Sequence, residues 1–115
     1  MAAKIKWQIK YYPTSSNKSP IKEFIDRQDE ITKSKIYSTF ELLREFGTNF
    51  RMPHAKKIIR TPLWELRVLG VKSTRFFYIA QTGRVFVILH AFIKKSQKTP
   101  QKELKTAFSR YKELI

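Results

Sequence analysis

One run constrains the fold of this chain more than any other. From Arg84 to Phe92, Val85, Val87, Leu89 and Ala91 alternate with Phe86, Ile88, His90 and Phe92. A strand built from it has an apolar side chain on nearly every position of both faces. It must therefore be covered on both sides, which makes it the central strand of a sheet. Strand-length segments precede it. Thr74 to Ala80 ends at the turn Gln81-Thr82-Gly83. Leu63 to Leu69 ends at Gly70-Val71-Lys72-Ser73, with Trp64, Leu66 and Val68 on one face and Glu65 and Arg67 on the other. Lys57 to Arg60 is a further strand candidate. Connections this short make the group an antiparallel meander.

The first half reads differently. Lys4 to Tyr12 alternates, with Ile5, Trp7 and Ile9 on the buried side of an expected strand, and Pro13-Thr14-Ser15-Ser16-Asn17 breaks it. Ser19-Pro20 is a helix cap followed by proline at the first helical position, ahead of Ile21, Phe24 and Ile25. A second helix is expected from about Ile31 to Phe46, with Ile36, Phe40 and Leu43 as its stripe, Tyr37 and Leu42 widening it, and Gly47 as its cap. Residues 48–55 read as loop. Thr99-Pro100 signals a last amphipathic helix to about Leu114. The order β-α-α-β-β-β-β-α predicts an α+β domain over residues 1–115. It has a helical hairpin, a mostly antiparallel sheet of four to five strands, a C-terminal helix, and the helices on one face.

At 115 residues, with 14% aromatic side chains, such a domain can fill a core without a metal or disulfide. Cysteine is absent, the first residues lack the apolar stretch of a signal peptide, and no run is long enough for a membrane helix. A cytoplasmic protein is the expectation. The net charge is +15. Residues 1–50 hold nine Lys/Arg against six Asp/Glu, whereas residues 51–115 hold fifteen against three: Glu65, Glu103 and Glu113. Crowding of one sign raises self-repulsion that a polyanion relieves.

The chemistry open to this half is limited. Two histidines without linked spacing make no metal site, and His90 reads as a satisfied core residue. No phosphate-cradling glycine loop, nucleophile elbow or carboxylate pair is present, so neither metal nor cofactor is expected. What remains is cations on strands and strand ends: His54, Lys56, Lys57 and Arg60; Arg67 with Arg75; and Lys94, Lys95 and Lys98. Attack of a 2′-hydroxyl on its own phosphate builds negative charge that fixed Arg and Lys groups stabilise. A lysine among other cations can serve as a proton-transfer group. Tyr78 and Phe92 stand near these cations and can stack on splayed bases. The Phe residues read as core, and Tyr78 is retained as an RNA-binding candidate. Whether Arg67 and Arg75 share a face depends on the turn between them, because a one-residue slip separates them.

Three segments carry a resemblance: Leu63-Trp64-Glu65-Leu66-Arg67, Thr74-Arg75-Phe76-Phe77-Tyr78, and Ile88 to Pro100 with Leu89-His90-Ala91-Phe92-Ile93-Lys94-Lys95. They resemble the phage-derived HigB-type branch of the RelE/ParE toxin superfamily. The resemblance implies a RelE-like fold, metal-independent cleavage of mRNA at the ribosomal A site, and a cognate antitoxin, of helix-turn-helix type. By position it implies that Arg67 binds the cleaved phosphate and that Arg75 is a second basic group. Proton transfer is expected to fall to a lysine, Lys95 or Lys98, or to His54, and Lys94 with His54, Lys56, Lys57 and Arg60 is expected to grip RNA. The tyrosine that the best-studied relatives carry in the first turn of the last helix is missing here, and Tyr111 lies too far along. Two alternatives stay open: a ParE-like inhibitor of DNA gyrase, and an RNA- or ribosome-binding module without catalysis.

Overall fold

A computed structural model describes residues 5–13, 18–98 and 100–115. Its elements run β1 (Gln8–Tyr11), α1 (Pro20–Asp26), α2 (Glu30–Phe46), a 3-10 turn (Gly47–Asn49), β2 (Ala55–Lys57), β3 (Trp64–Arg67), β4 (Thr74–Gln81), β5 (Val85–Ile93) and α3 (Gln101–Leu114). The strands form one sheet in the order β1-β5-β4-β3-β2. β1 runs parallel to β5, and every other pairing is antiparallel. The α+β class and the element order agree with the sequence reading. No helix among the described residues is long and apolar enough to cross a membrane.

The helix starts follow local chemistry. The Ser19 hydroxyl accepts the Lys22 backbone N–H at 3.1 Å, with Pro20 opening α1. Asp29 does the same for Thr32 at 2.7 Å, so α2 begins at Glu30, a residue earlier than expected. Such a cap contributes about 1 kcal/mol. That bond to Thr32, more than the neighbouring Lys72, holds the Asp29 carboxyl below its ordinary range. Gly47 ends α2 with φ 59, and a Cβ there would run into the Trp7 indole. Trp7 uses the space to stack on Phe86 of β5 at 4.3 Å.

The buried stripe of α2 is Ile36, Phe40 and Leu43, but Tyr37 and Leu42 stay exposed and do not widen it. Ile5 is exposed as well, because pairing with β5 starts only at Gln8, opposite Val85. Lys4, the expected break over 14–17 and the expected Thr99 cap lie outside the described residues. β2 sits earlier than Lys57 to Arg60. Ala55 pairs with Leu66, while Arg60 occupies a turn at φ 65 that the Ile58 N–H closes onto the Leu63 carbonyl.

The helices do not share one face. Phe24 of α1 and Phe40 of α2 meet Phe76 at 6.0 and 5.0 Å. α3 instead reaches β5 through Glu103 on His90 and Arg110 on the Leu89 carbonyl. Phe76 pairs with Ala91 and Phe77 with His90, so the two helical layers lie on opposite faces of the pleat. β5 is thereby covered on both sides, as its two-sided apolar run requires. A bulge between Phe77 and Tyr78 absorbs one extra residue of β5. Phe76, Phe77, Phe86, Ile88 and Leu89 are fully buried between the layers.

Candidate functional site

The register of the meander settles the question that the turn left open. Arg67 of β3 stands directly opposite Arg75 of β4, and Arg75 stands opposite Phe92 of β5. Cross-strand partners share a face, so both guanidiniums rise from the same side. The Val68 N–H bonds the Thr74 carbonyl at 3.1 Å, and the Lys94 N–H bonds the Ser73 carbonyl at 2.8 Å. These bonds hold the end of β5 against the β3–β4 turn. Lys72 in that turn pairs with Asp29 at the start of α2. The result is an open hollow of roughly 560 Å³ lined by Arg67, Ser73, Arg75, Lys94, Lys95, Ser96 and Gln97.

Glu65 lies beneath these cations, two residues before Arg67 and on the same face. Strand alternation placed it beside Arg67, but it is 1% exposed. Its Oε1 accepts the Arg67 Nε–H at 3.1 Å and lies 4.0 Å from Arg75 Nε. Arg75 also donates through Nη1 to the Thr74 carbonyl at 3.1 Å. Burial pulls the Arg75 pKa down; Glu65 opposes that, and Arg67 adds to it. Glu65 is the site residue that sequence reasoning missed. Its signal was present, as the single acid among strand cations, but the alternation that pairs it with Arg67 does not reveal its depth. Phe77 stands opposite it on β4, fully buried, with His90 beyond on β5.

The other predicted residues lie elsewhere. Lys98 is exposed beyond the hollow, with its carbonyl accepting from the Ser96 hydroxyl. The β2 group is on the edge strand beside β3, where the His54 carbonyl accepts the Arg67 backbone N–H at 2.7 Å. Lys57 donates to the Thr61 carbonyl and lies over the Trp64 ring, and His54 stacks on Phe50 at 4.9 Å. Lys56 is exposed opposite Glu65 on the β2–β3 pair. Arg60 lines a separate groove with Leu104 and Phe108 of α3. Tyr78 is 2% exposed, stacked on Trp64 at 6.3 Å and edge-on to Phe86 at 5.3 Å. The structure puts its ring in the core, on the opposite face from Arg67, where no base can stack on it. Burial pushes its hydroxyl pKa far up.

Both ring nitrogens of His90 are engaged. Nε2 lies 2.8 Å from Glu103 Oε1, and Nδ1 lies 3.3 Å from Arg110 Nη1. Arg can only donate, so Nδ1 accepts and Nε2 carries the proton to Glu103. Burial holds the His90 pKa below its ordinary value, against the pull of Glu103. Among the described residues, no three His, Cys, Asp or Glu side chains are grouped as metal ligands.

The arrangement can hold one phosphate. The Nε edge of Arg67 is committed to Glu65, and its Nη atoms have no partner in the chain among the described residues. Those donors share the hollow with Lys94, Lys95 and the Ser73 hydroxyl, a donor set suited to non-bridging phosphate oxygens.

Residues 23–112 match the family described as "Phage derived protein Gp49-like (DUF891)". That span reaches from α1 into α3 and includes every residue lining the hollow. No curated protein matches the chain.

Proposed function

We propose, since the chain belongs to the phage derived Gp49-like family, that it is a HigB-like toxin of a type II toxin–antitoxin pair and cuts mRNA on the ribosome without a metal. The observation that carries this reading is the gathering of Arg67, Arg75, Lys94 and Lys95 around one open hollow. In the proposed reaction a 2′-oxygen attacks the adjacent phosphorus, and the bond to the 5′-oxygen breaks. The products end in a 2′,3′-cyclic phosphate and a 5′-hydroxyl. Arg67 and Arg75 hold the non-bridging oxygens as charge builds on them. In this reading Lys95, exposed at the rim of the hollow, exchanges a proton with the reacting oxygens. Lys98 stands outside the hollow and is assigned a weaker backbone contact, as are His54, Lys56, Lys57 and Arg60.

A cognate antitoxin acidic at its contact surface would neutralise the excess of cations in residues 51–115. The test is induction of Arg67→Ala/Lys95→Ala beside the parent chain, with transcript ends mapped by primer extension. The parent should stop growth and create new 5′ ends; the double variant should fold, permit growth and leave transcripts intact. A folded double variant that still stops growth contradicts the assignment. Growth arrest with intact transcripts and a DNA-damage response would point to gyrase instead.

A further inference from the structure

We propose that Glu65 is the positioning residue of this site, a buried carboxylate that aims Arg67 and Arg75 into the hollow; this rests on the nuclease reading above. Its carboxylate is almost wholly buried, although carboxylates of that depth are uncommon unless paired. Its partner is the Nε of Arg67, the one guanidinium nitrogen that a phosphate in the hollow does not need. Fixing that edge turns the two Nη groups outward. Arg75 Nε stands 4.0 Å from the same oxygen, within ion-pair reach but too far for a hydrogen bond. One acceptor thus sets the spacing of two arginines on neighbouring strands. Oε2 of Glu65 and Arg75 Nε are both buried without a hydrogen-bond partner, and both belong to the strands under this hollow. Buried polar groups are normally satisfied, and exceptions concentrated at one place mark function better than stability.

Electrostatics alone predicts the reverse of positioning. A carboxylate under a phosphate site repels the ligand, so removing its charge should strengthen RNA binding. If Glu65 positions the arginines, its removal leaves binding intact and slows the chemistry, because misplacement by about 1 Å costs on the order of 100-fold.

The experiment compares the full-length parent with Glu65→Gln, Glu65→Asp and Glu41→Gln. Glu41→Gln removes an equal charge at an exposed ion pair on α2. Single-turnover cleavage of mRNA on programmed ribosomes gives the saturated rate, and a 2′-deoxy oligonucleotide gives binding without cleavage. Glu65→Gln should cut roughly 10- to 100-fold more slowly and bind within about twofold of the parent or more tightly. Glu65→Asp, which keeps the charge but retracts it by one methylene, should also be slow. Glu41→Gln should match the parent. Thermal melting identifies a variant that fails to fold, and Glu65→Asp then carries the test. Parent-like rates in both folded Glu65 variants overturn the proposal and leave the nuclease reading standing. If the parent itself cuts no RNA, the nuclease reading falls. The ¹⁵N-detected Arg67 Nε–H resonance then decides: faster solvent exchange in Glu65→Gln keeps the positioning role, and an unchanged signal ends it.

Discussion

The molecule carries two cationic regions of similar composition, and they differ in what the cations touch. Around the end of β5, Arg67, Arg75, Lys94 and Lys95 come from three segments and face one hollow, above a buried acid. In and beside β2, Lys56 stands opposite Glu65, but its sequence neighbours Lys57, Arg60 and His54 turn to other partners. Lys57 is committed to the Thr61 carbonyl and the Trp64 ring, His54 to Phe50, and Arg60 to a groove beside α3. Charge density along the chain is thus a poor guide to a site. Convergence is what concentrates potential, and strand register with a shared acceptor creates it.

The sharpest way to break this comparison is to truncate one region at a time. Arg67→Ala/Lys95→Ala should lower RNA cleavage by at least ~10³-fold, since single donors of this kind contribute roughly 10² to 10³. Arg75→Ala alone should cost about 10²-fold on the same scale, read as single-turnover rate. Against these, Lys56→Ala/Lys57→Ala/Arg60→Ala should leave the saturated rate unchanged. It should weaken binding to single-stranded RNA and reduce the slope of log affinity against log salt by about 2, if each cation meets one phosphate. A triple variant that loses cleavage as completely as the Arg67 pair would erase the distinction between the two regions.

Smaller effects sharpen the account of the surrounding fold. Burial depresses the folded His90 pKa, so below the ordinary value of 6.5 the unfolded chain takes up the proton first. Stability is therefore complete above that pH and is lost as the pH falls through it, until the folded ring protonates in turn. Melting temperatures measured from pH 7.5 to 4.5 should fall with this sign, and His90→Gln should flatten the fall. The groups facing the ring are Glu103 and Arg110. Smallest of all, Tyr78→Phe should shift stability by under about 0.5 kcal/mol and leave cleavage unaltered, because its hydroxyl has no role at the hollow.

Much of the scaffold was legible in the residues. The two-faced apolar run of β5, the Ser19-Pro20 cap and the Ile36–Phe40–Leu43 stripe each express one dominant local rule, and the structure follows them. The site was legible only in part. Arg67 and Arg75 were recognisable as cations on adjacent strands, but their shared face depends on pairing across a turn whose geometry composition does not dictate. Lys94 and Lys95 join them because the end of β5 is bonded to the Ser73 carbonyl, whereas Lys98, three residues past Lys95, lies outside. Glu65 and Tyr78 escaped for a common reason. Each sits in an alternating strand, and alternation gives the face but not the depth. Depth is set by side chains distant in sequence: Phe77 beside Glu65, Trp64 and Phe86 around Tyr78. The placement of α3 opposite α1 and α2 is likewise a tertiary choice, made by Glu103 and Arg110 meeting β5.

The central claim, that four cations from three segments act as one phosphate site, is tested most directly by side-chain NMR during titration with a 2′-deoxy oligonucleotide at moderate salt. The account predicts that the Arg67 and Arg75 guanidinium signals and the Lys94 and Lys95 ammonium signals move together along a single binding curve. It also predicts that Lys56, Lys57 and Arg60 respond weakly and vary with salt. Independent curves for the four groups, or stronger shifts along β2 than at the hollow, would contradict it.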